Sequence, residues 1–149
     1  YLINFGVLKM AVLTSTGTSI GVIAAEPATH DAAGFGALVF VAIGEVTTLG
    51  EYGAAAQVVT HEPLATGITE KHKGFINYGS MGQLIVAAGV TGAGQNTEHS
   101  FEVTYQDGSI DYFTGKIFSY TKNPNGANSM VASAVALEIN STIVEVAAP

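Results

Sequence analysis

The fold is decided by the stretch from Phe101 to Tyr120, which reads FEVTYQDGSIDYFTGKIFSY. Apolar residues at positions 101, 103 and 105 alternate with polar ones, which is the period of a half-buried β-strand. Asp107-Gly108 is a strong signal for a tight hairpin turn, and residues 110–120 are rich in the aromatic and β-branched side chains that strands prefer. The stretch therefore predicts a β-hairpin.

The segment after this hairpin predicts a further strand. Asn123-Pro-Asn-Gly126 is a turn sequence, because Pro presets the φ of its first central position and Gly accepts a positive φ. Apolar residues then lie at odd positions between Val131 and Ile139, with small alanines between them. Residues 143–146 continue this strand or flank it.

The segments before the hairpin are mixed. The apolar run 37–43, bounded by glycines, predicts a buried strand, and residues 75–78 predict the end of another. Residues 81–88 predict a short helix that stops at Gly89. Together these patterns predict one mainly β domain over residues 1–149, a β-sandwich or barrel with one short flanking helix.

Three segments have no clear periodicity. Residues 44–67 contain four glycines and one proline and form a long connection, and long connections are usually functional or paired with a partner. Residues 89–96 predict a flexible loop, and residues 1–17 an N-terminal arm or extension. We expect residues 44–67 and 89–98 to become ordered only on assembly, which would leave the free subunit marginally stable.

The composition excludes several classes of function. Charged residues make up only 11% of the chain, which suits a protein that hides surface in an oligomer. A net charge of −7 and the absence of arginine argue against a nucleic-acid-binding protein, which needs a basic face. The absence of cysteine excludes disulfides and thiolate zinc sites. No apolar run is long enough to span a bilayer, so we expect a soluble protein.

No catalytic or metal-binding motif fits its context. Ser119-x-x-Lys122 lies in a predicted strand, whereas a Ser-x-x-Lys nucleophile needs a helix. The stretch from Asp107 to Asp111 lacks the glycine and the closing glutamate of a calcium loop. Glu98 and Glu102 could pair for glycoside chemistry, but there is no tryptophan to stack on a sugar. The histidines show no ligand spacing; they are His30, His61, His72 and His99. We therefore expect no enzyme, no metal and no cofactor.

Lys71 and Lys73 place two ammonium groups on one side of a strand. A solvated strand edge or a salt bridge across subunits explains this spacing better than a phosphate site.

The order of these elements resembles that of the tail tube proteins of long-tailed, siphovirus-type phages. The resemblance covers roughly residues 18–146 and is clearest in residues 99–119 and 133–139. Ile43-Gly-Glu-Val46 and the stretch from Gly74 to Gln83 are also similar. The resemblance implies a subunit of stacked hexameric rings whose strands join into one barrel around a channel. It also implies that the protein belongs to the virion and is assembled in the bacterial host cytoplasm.

The resemblance also suggests roles for particular residues. Residues 44–67 would be the loop that reaches a neighbouring ring, with five candidate contact residues: Glu45, Glu51, Tyr52, His61 and Glu62. Three acidic residues are candidates for the lumen, where an acidic wall lets DNA slide: Glu102, Asp111 and Glu138. The implied partners are further copies of the chain, a tape-measure protein, a tail terminator, distal tail or baseplate proteins, and double-stranded DNA in transit.

Other functions remain open at the level of sequence. A tube subunit of a related injection or secretion system would share the fold and conduct a different cargo. A secreted carbohydrate-binding β-sandwich would need exposed aromatic platforms, for which Tyr52, Tyr112 and Tyr120 are the only hints. A β-rich enzyme is the third alternative.

Overall fold

The structure of the protein is a computed structural model that describes residues 14–43, 46–86, 97–129 and 131–149. The described residues are mainly β with multi-stranded antiparallel pairing, as the sequence predicted, and they contain one short helix, which is not at the predicted position. The elements are, in chain order, β1 (Ser19–Ile23), α1 (Ala32–Gly36), β2 (Val41–Ala42), β3 (Val46–Thr48), β4 (Ala55–His61), β5 (Glu70–Asn77), β6 (Ser80–Val86), β7 (His99–Thr104), β8 (Ile110–Asn123), β9 (Ala132–Ile139) and β10 (Val144–Val146).

Eight of the strands form the main sheet, in the order β2-β1-β7-β8-β9-β6-β3, with β10 paired to β8. Its end strands β2 and β3 would lie six strand spacings, about 29 Å, apart if the sheet were flat. Ala42 in β2 and Val46 in β3 are only four residues apart in the chain, which spans at most about 14 Å. The main sheet is therefore strongly curled.

The hydrophobic core lies on one face of the main sheet, called here the core face. Phe101 on β7 and Phe113 on β8 are register partners, and their rings stack with centroids 5.3 Å apart. The predicted alternation in β9 is confirmed, because Ser133, Val135, Leu137 and Ile139 are buried and the residues between them are not. The remaining buried core residues are Ile20, Ile43, Met81, Val103 and Ile117.

Helix α1 covers part of the opposite face, called here the outer face. Asp31 caps the helix, because its Oδ1 accepts a hydrogen bond from the backbone N–H of Gly34 at 2.7 Å. This cap holds Phe35 over Tyr112 of β8, with the two rings stacked 5.2 Å apart. Phe35 is fully buried, so the outer face has its own small aromatic cluster.

The predicted β-hairpin at residues 101–120 is confirmed as β7 and β8. Gly108 in the turn has a φ of +89°, a conformation that favours glycine. The Oδ1 of Asp107 accepts hydrogen bonds from both the backbone N–H and the hydroxyl of Ser109. The turn is therefore specified locally, by the Asp-Gly pair and the serine that follows it.

Three predictions about the segments before the hairpin are wrong. Residues 80–86 form strand β6, paired with β9 and β3, where a helix over 81–88 was predicted. Most of the run 37–43 is not a buried strand: only Val41–Ala42 is strand, both residues are exposed, and Val39 is 77% exposed. Residues 37 and 38 instead close α1 through backbone hydrogen bonds.

The third correction concerns residues 44–67, which were predicted to be one long connection but contain strands β3 and β4. Residues 87–96, with the predicted glycine loop and the end of the predicted helix, lie outside the described residues. Most of the predicted N-terminal arm, residues 1–13, also lies outside them.

Candidate interaction surface

Residues 55–77 form a two-stranded antiparallel sheet of their own, β4 paired with β5, called here the arm. Every residue of β4 is exposed, and in β5 only Gly74 is partly buried. An isolated two-stranded hairpin is at best marginally stable in water, because it has no second layer against which to bury its side chains. The arm is therefore the part of the described fold that most needs a partner.

Large apolar side chains are exposed on both faces of the arm. Val58 is 66% and Val59 52% exposed, and as chain neighbours in one strand they point to opposite faces. Phe75 is 87% and Ile76 47% exposed near the base of the arm, while Leu64 and Ile68 are exposed at its tip. A solvated hairpin would carry polar residues on at least one face.

A bulge in β5 sets which side chains share a face. Ala56 pairs with Ile76 and Val58 with Lys73, so β5 has one more residue than β4 between these pairs. A Cβ at Gly74 would come within 3.0 Å of Val59, so a larger residue there would meet the facing strand. Gln57, Val59, Gly74 and Phe75 line a shallow cavity of about 480 Å³ on this side of the arm.

The register divides the charged residues of the arm between its two faces. Lys73 lies opposite Val58 and Lys71 opposite Thr60, so both lysines share the face of Val58, called here the lysine face. On the other face, His72 lies beside Glu70, with 3.6 Å between its Nε2 and the carboxylate. Within the described residues neither lysine forms an ion pair.

Two tyrosines and an aspartate anchor the base of the arm to the main sheet. Tyr52, three residues before β4, donates its hydroxyl hydrogen to Oδ2 of Asp111 at 2.5 Å. Tyr105 donates to the same oxygen at 3.1 Å, and the two tyrosine hydroxyls contact each other. The Tyr52 ring also packs against Phe113 of the core, at 5.6 Å between centroids.

The environment of this cluster favours neutral tyrosines. Burial raises the pKa of Tyr52 well above its usual value of 10.0, and the hydrogen bond that it donates to Asp111 acts in the same direction. Burial also raises the pKa of Tyr105, to which the charge of Asp111 adds. The hydroxyls therefore stay protonated at neutral pH and serve as hydrogen-bond donors.

A cavity of about 550 Å³ lies beside this cluster, called here the root cavity. Tyr52, Tyr105 and Ile143 contribute to its walls, and it carries three carboxylates, those of Glu51, Asp111 and Glu145. Glu51 and Glu145 are exposed, and no lysine or histidine is among the residues that line the cavity. It is thus a negatively charged recess with aromatic walls.

The structure separates the three candidate lumen residues. Glu102 is the register partner of Tyr112, and Glu138 that of Lys116, so both lie on the outer face. Asp111 pairs with Val103 and lies on the core face, where its carboxylate accepts the tyrosine hydrogen bonds. The three acidic residues therefore do not share one surface.

The structure also divides the five candidate contact residues of the loop. Glu51 and Tyr52 lie at the root cavity, while His61 ends β4 and Glu62 follows it toward the tip of the arm. Glu45 lies outside the described residues. The prediction that Lys71 and Lys73 lie on one side of a strand is confirmed, whereas the link between Tyr52, Tyr105 and Asp111 was not predicted from the sequence.

The tyrosines considered as sugar platforms are not free rings. Tyr112 is buried beneath Phe35, and Tyr52 and Tyr120 are partly buried against the core. In the described part of the chain, no three histidine, aspartate or glutamate side chains are placed to hold a metal ion. None of the described helices is long and apolar enough to cross a membrane.

No protein-family model matches the chain, and no curated protein is significantly similar to it.

Proposed function

We propose that this chain is a structural subunit that assembles with copies of itself into stacked hexameric rings, forming the tail tube of a long-tailed phage. The observation that carries the proposal is the arm, an exposed hairpin with apolar side chains on both faces. In this proposal, DNA passes through the tube during genome ejection without being bound specifically.

The exposed apolar residues of the arm favour association. Burying a valine, isoleucine or phenylalanine side chain stabilises by about 1.5–3 kcal/mol relative to leaving it in water. Val58, Val59, Phe75 and Ile76 all gain this stabilisation if the arm packs between neighbouring subunits. Association then also stabilises the arm itself, since an isolated two-stranded hairpin is only marginally stable in water.

The same chain is the partner that best fits these features. An arm that docks on a different surface of the next copy makes a heterologous contact, which closes into a ring or continues as a filament. Stacking of rings by the same kind of contact produces a tube. The low charge content, 11% of residues, suits a subunit whose surface is largely covered by its neighbours.

The channel wall is the part of the proposal that rests most on the resemblance to tail tubes. The curled main sheet would join those of its neighbours into a barrel around the channel, which leaves few open strand edges. Glu102 and Glu138 share one face and are the candidates for an acidic lumen that repels DNA phosphates. Asp111 is assigned to anchoring the arm instead.

The partners proposed for such a tube follow from its open-ended stacking. Head-to-tail rings do not set their own number, so another protein must fix the length. A tape-measure protein would do this, with a terminator at one end and distal tail or baseplate proteins at the other.

The proposal is tested by removing the apolar contacts of the arm. The double variant Val58→Thr/Phe75→Thr keeps strand-forming residues and removes exposed apolar surface. Sedimentation velocity over a concentration series should show large assemblies for the unaltered protein and only monomers for this variant. Val131→Thr, which changes an exposed valine outside the arm, is the matched control and should still assemble. Assembly of the double variant at the concentrations used by the unaltered protein would refute the role of the arm.

A further inference from the structure

The two faces of the arm differ in how their charges are balanced. On one face the Glu70 carboxylate lies 3.6 Å from His72. On the lysine face the register partners of Lys71 and Lys73 are Thr60 and Val58, neither of which carries a charge. This face therefore presents two ammonium groups beside exposed apolar surface, with no carboxylate opposite them.

The other described lysines have surroundings of a different kind. Lys122 lies over the ring of Tyr120, with its Nζ 5.8 Å from the centroid, and Lys116 is the register partner of Glu138. The lysines of the arm are thus the positive charges most available to a second molecule. The remainder of the chain outside the arm is acidic.

The root cavity has the complementary character. Its carboxylates include Glu51 and Glu145, which are exposed and form no described ion pair, and its walls include the rings of Tyr52 and Tyr105. Lysine side chains bury their apolar stems against such walls while their ammonium groups meet the carboxylates. The cavity lies at the base of the arm, beside Gly53 and Ala54.

We propose that the lysine face of the arm docks into the root cavity of a second copy of this chain, with Lys71 and Lys73 facing Glu51 and Glu145. This inference rests on the proposed self-assembly and names the two surfaces that meet. The arm and the cavity are different surfaces of one chain, so the contact is heterologous and can propagate from copy to copy. The same contact buries Val58, the exposed valine of the lysine face.

Charge exchange between copies tests this pairing. The arm variant K71E/K73E and the cavity variant E51K/E145K each place like charges at the contact, so each alone should need at least about tenfold more protein to assemble. Mixed in equal amounts, the two variants should assemble at nearly the concentration of the unaltered protein. In the mixture every acidic arm meets a basic cavity, and every basic arm meets an acidic one.

Controls separate this inference from the proposed function. K122E and E26K change exposed residues outside both surfaces and should assemble normally. If the unaltered protein assembles but the exchanged variants assemble equally well alone, or fail to recover on mixing, the pairing is wrong while self-assembly stands. If the unaltered protein stays monomeric at every concentration, the proposed function itself fails. Far-UV circular dichroism of each variant establishes that it is folded.

Discussion

The hydrogen bonds of Tyr52 lead to a prediction about stability and its dependence on pH. Tyr52→Phe removes the hydroxyl that donates to Asp111 at 2.5 Å and keeps the ring that packs against Phe113. A hydrogen bond to a charged group contributes about 1.5–3 kcal/mol. Tyr105 still donates to the same carboxylate, so the aspartate is not left unpaired. We therefore expect a loss near the lower end of this range, about 1.5 kcal/mol, at pH 7.

The size of this loss should fall at alkaline pH. Because the pKa of Tyr52 is raised in the folded state, only the unfolded chain releases this proton just above pH 10. The stabilising effect of Tyr52 is therefore complete below pH 10 and is lost as the pH rises further. One retained proton corresponds to about 1.4 kcal/mol per pH unit. Solvent screening of the half-exposed ring reduces the pKa shift, and so it narrows the pH range over which this slope applies.

Urea unfolding of dilute protein, followed by far-UV circular dichroism between pH 7 and 11, measures both effects. The difference between the unaltered protein and Tyr52→Phe should be constant up to about pH 9.5 and shrink above it. Tyr78→Phe is the control, because the described residues offer its hydroxyl no hydrogen-bond partner. A difference below about 0.5 kcal/mol at pH 7, or one that stays constant to pH 11, would refute the assigned role of the cluster.

Two further predictions concern the main sheet. Gly115→Ala should destabilise the protein by about 1–3 kcal/mol, because a Cβ there would lie 2.3 Å from the backbone oxygen of Glu138. Gly126→Ala is the control: its Cβ would meet nothing within 4 Å, so stability should change by less than about 0.5 kcal/mol. Equal urea midpoints for the two variants would contradict the register of β8 and β9. Phe113→Ala should lower the free energy of unfolding by about 3–5 kcal/mol, because this fully buried ring contacts both Phe101 and Tyr52. A decrease of less than about 1 kcal/mol in the same urea assay would contradict the position of the core.

The elements predicted well are those whose signals are local. Asp107-Gly108 specifies its turn within three residues, and the alternation of residues 132–139 matches the burial of β9, whereas Val131 just before the strand is exposed. The helix over residues 81–88 was predicted wrongly, because a short apolar run such as Met-Gly-Gln-Leu-Ile-Val fits either state. The open edge of β9 pairs with this run and decides the outcome.

The candidate interaction surface was harder to predict for two physical reasons. The bulge opposite Gln57 shifts the register of β5, so the alternation of residues 70–77 does not map simply onto two faces. Tyr52 and Asp111 are 59 residues apart in the chain, and only the folding of β8 against the base of the arm brings them together. Neither feature leaves a periodic signal in the sequence.

Electron microscopy of the purified, unaltered protein in negative stain, over a concentration series, tests self-assembly most directly. We expect rings of uniform diameter with a central hole at low concentration, and stacked rings or tubes of variable length as the concentration rises. Dispersed single subunits at every concentration, with no rings after prolonged incubation, would contradict the assignment of this chain as a tube subunit.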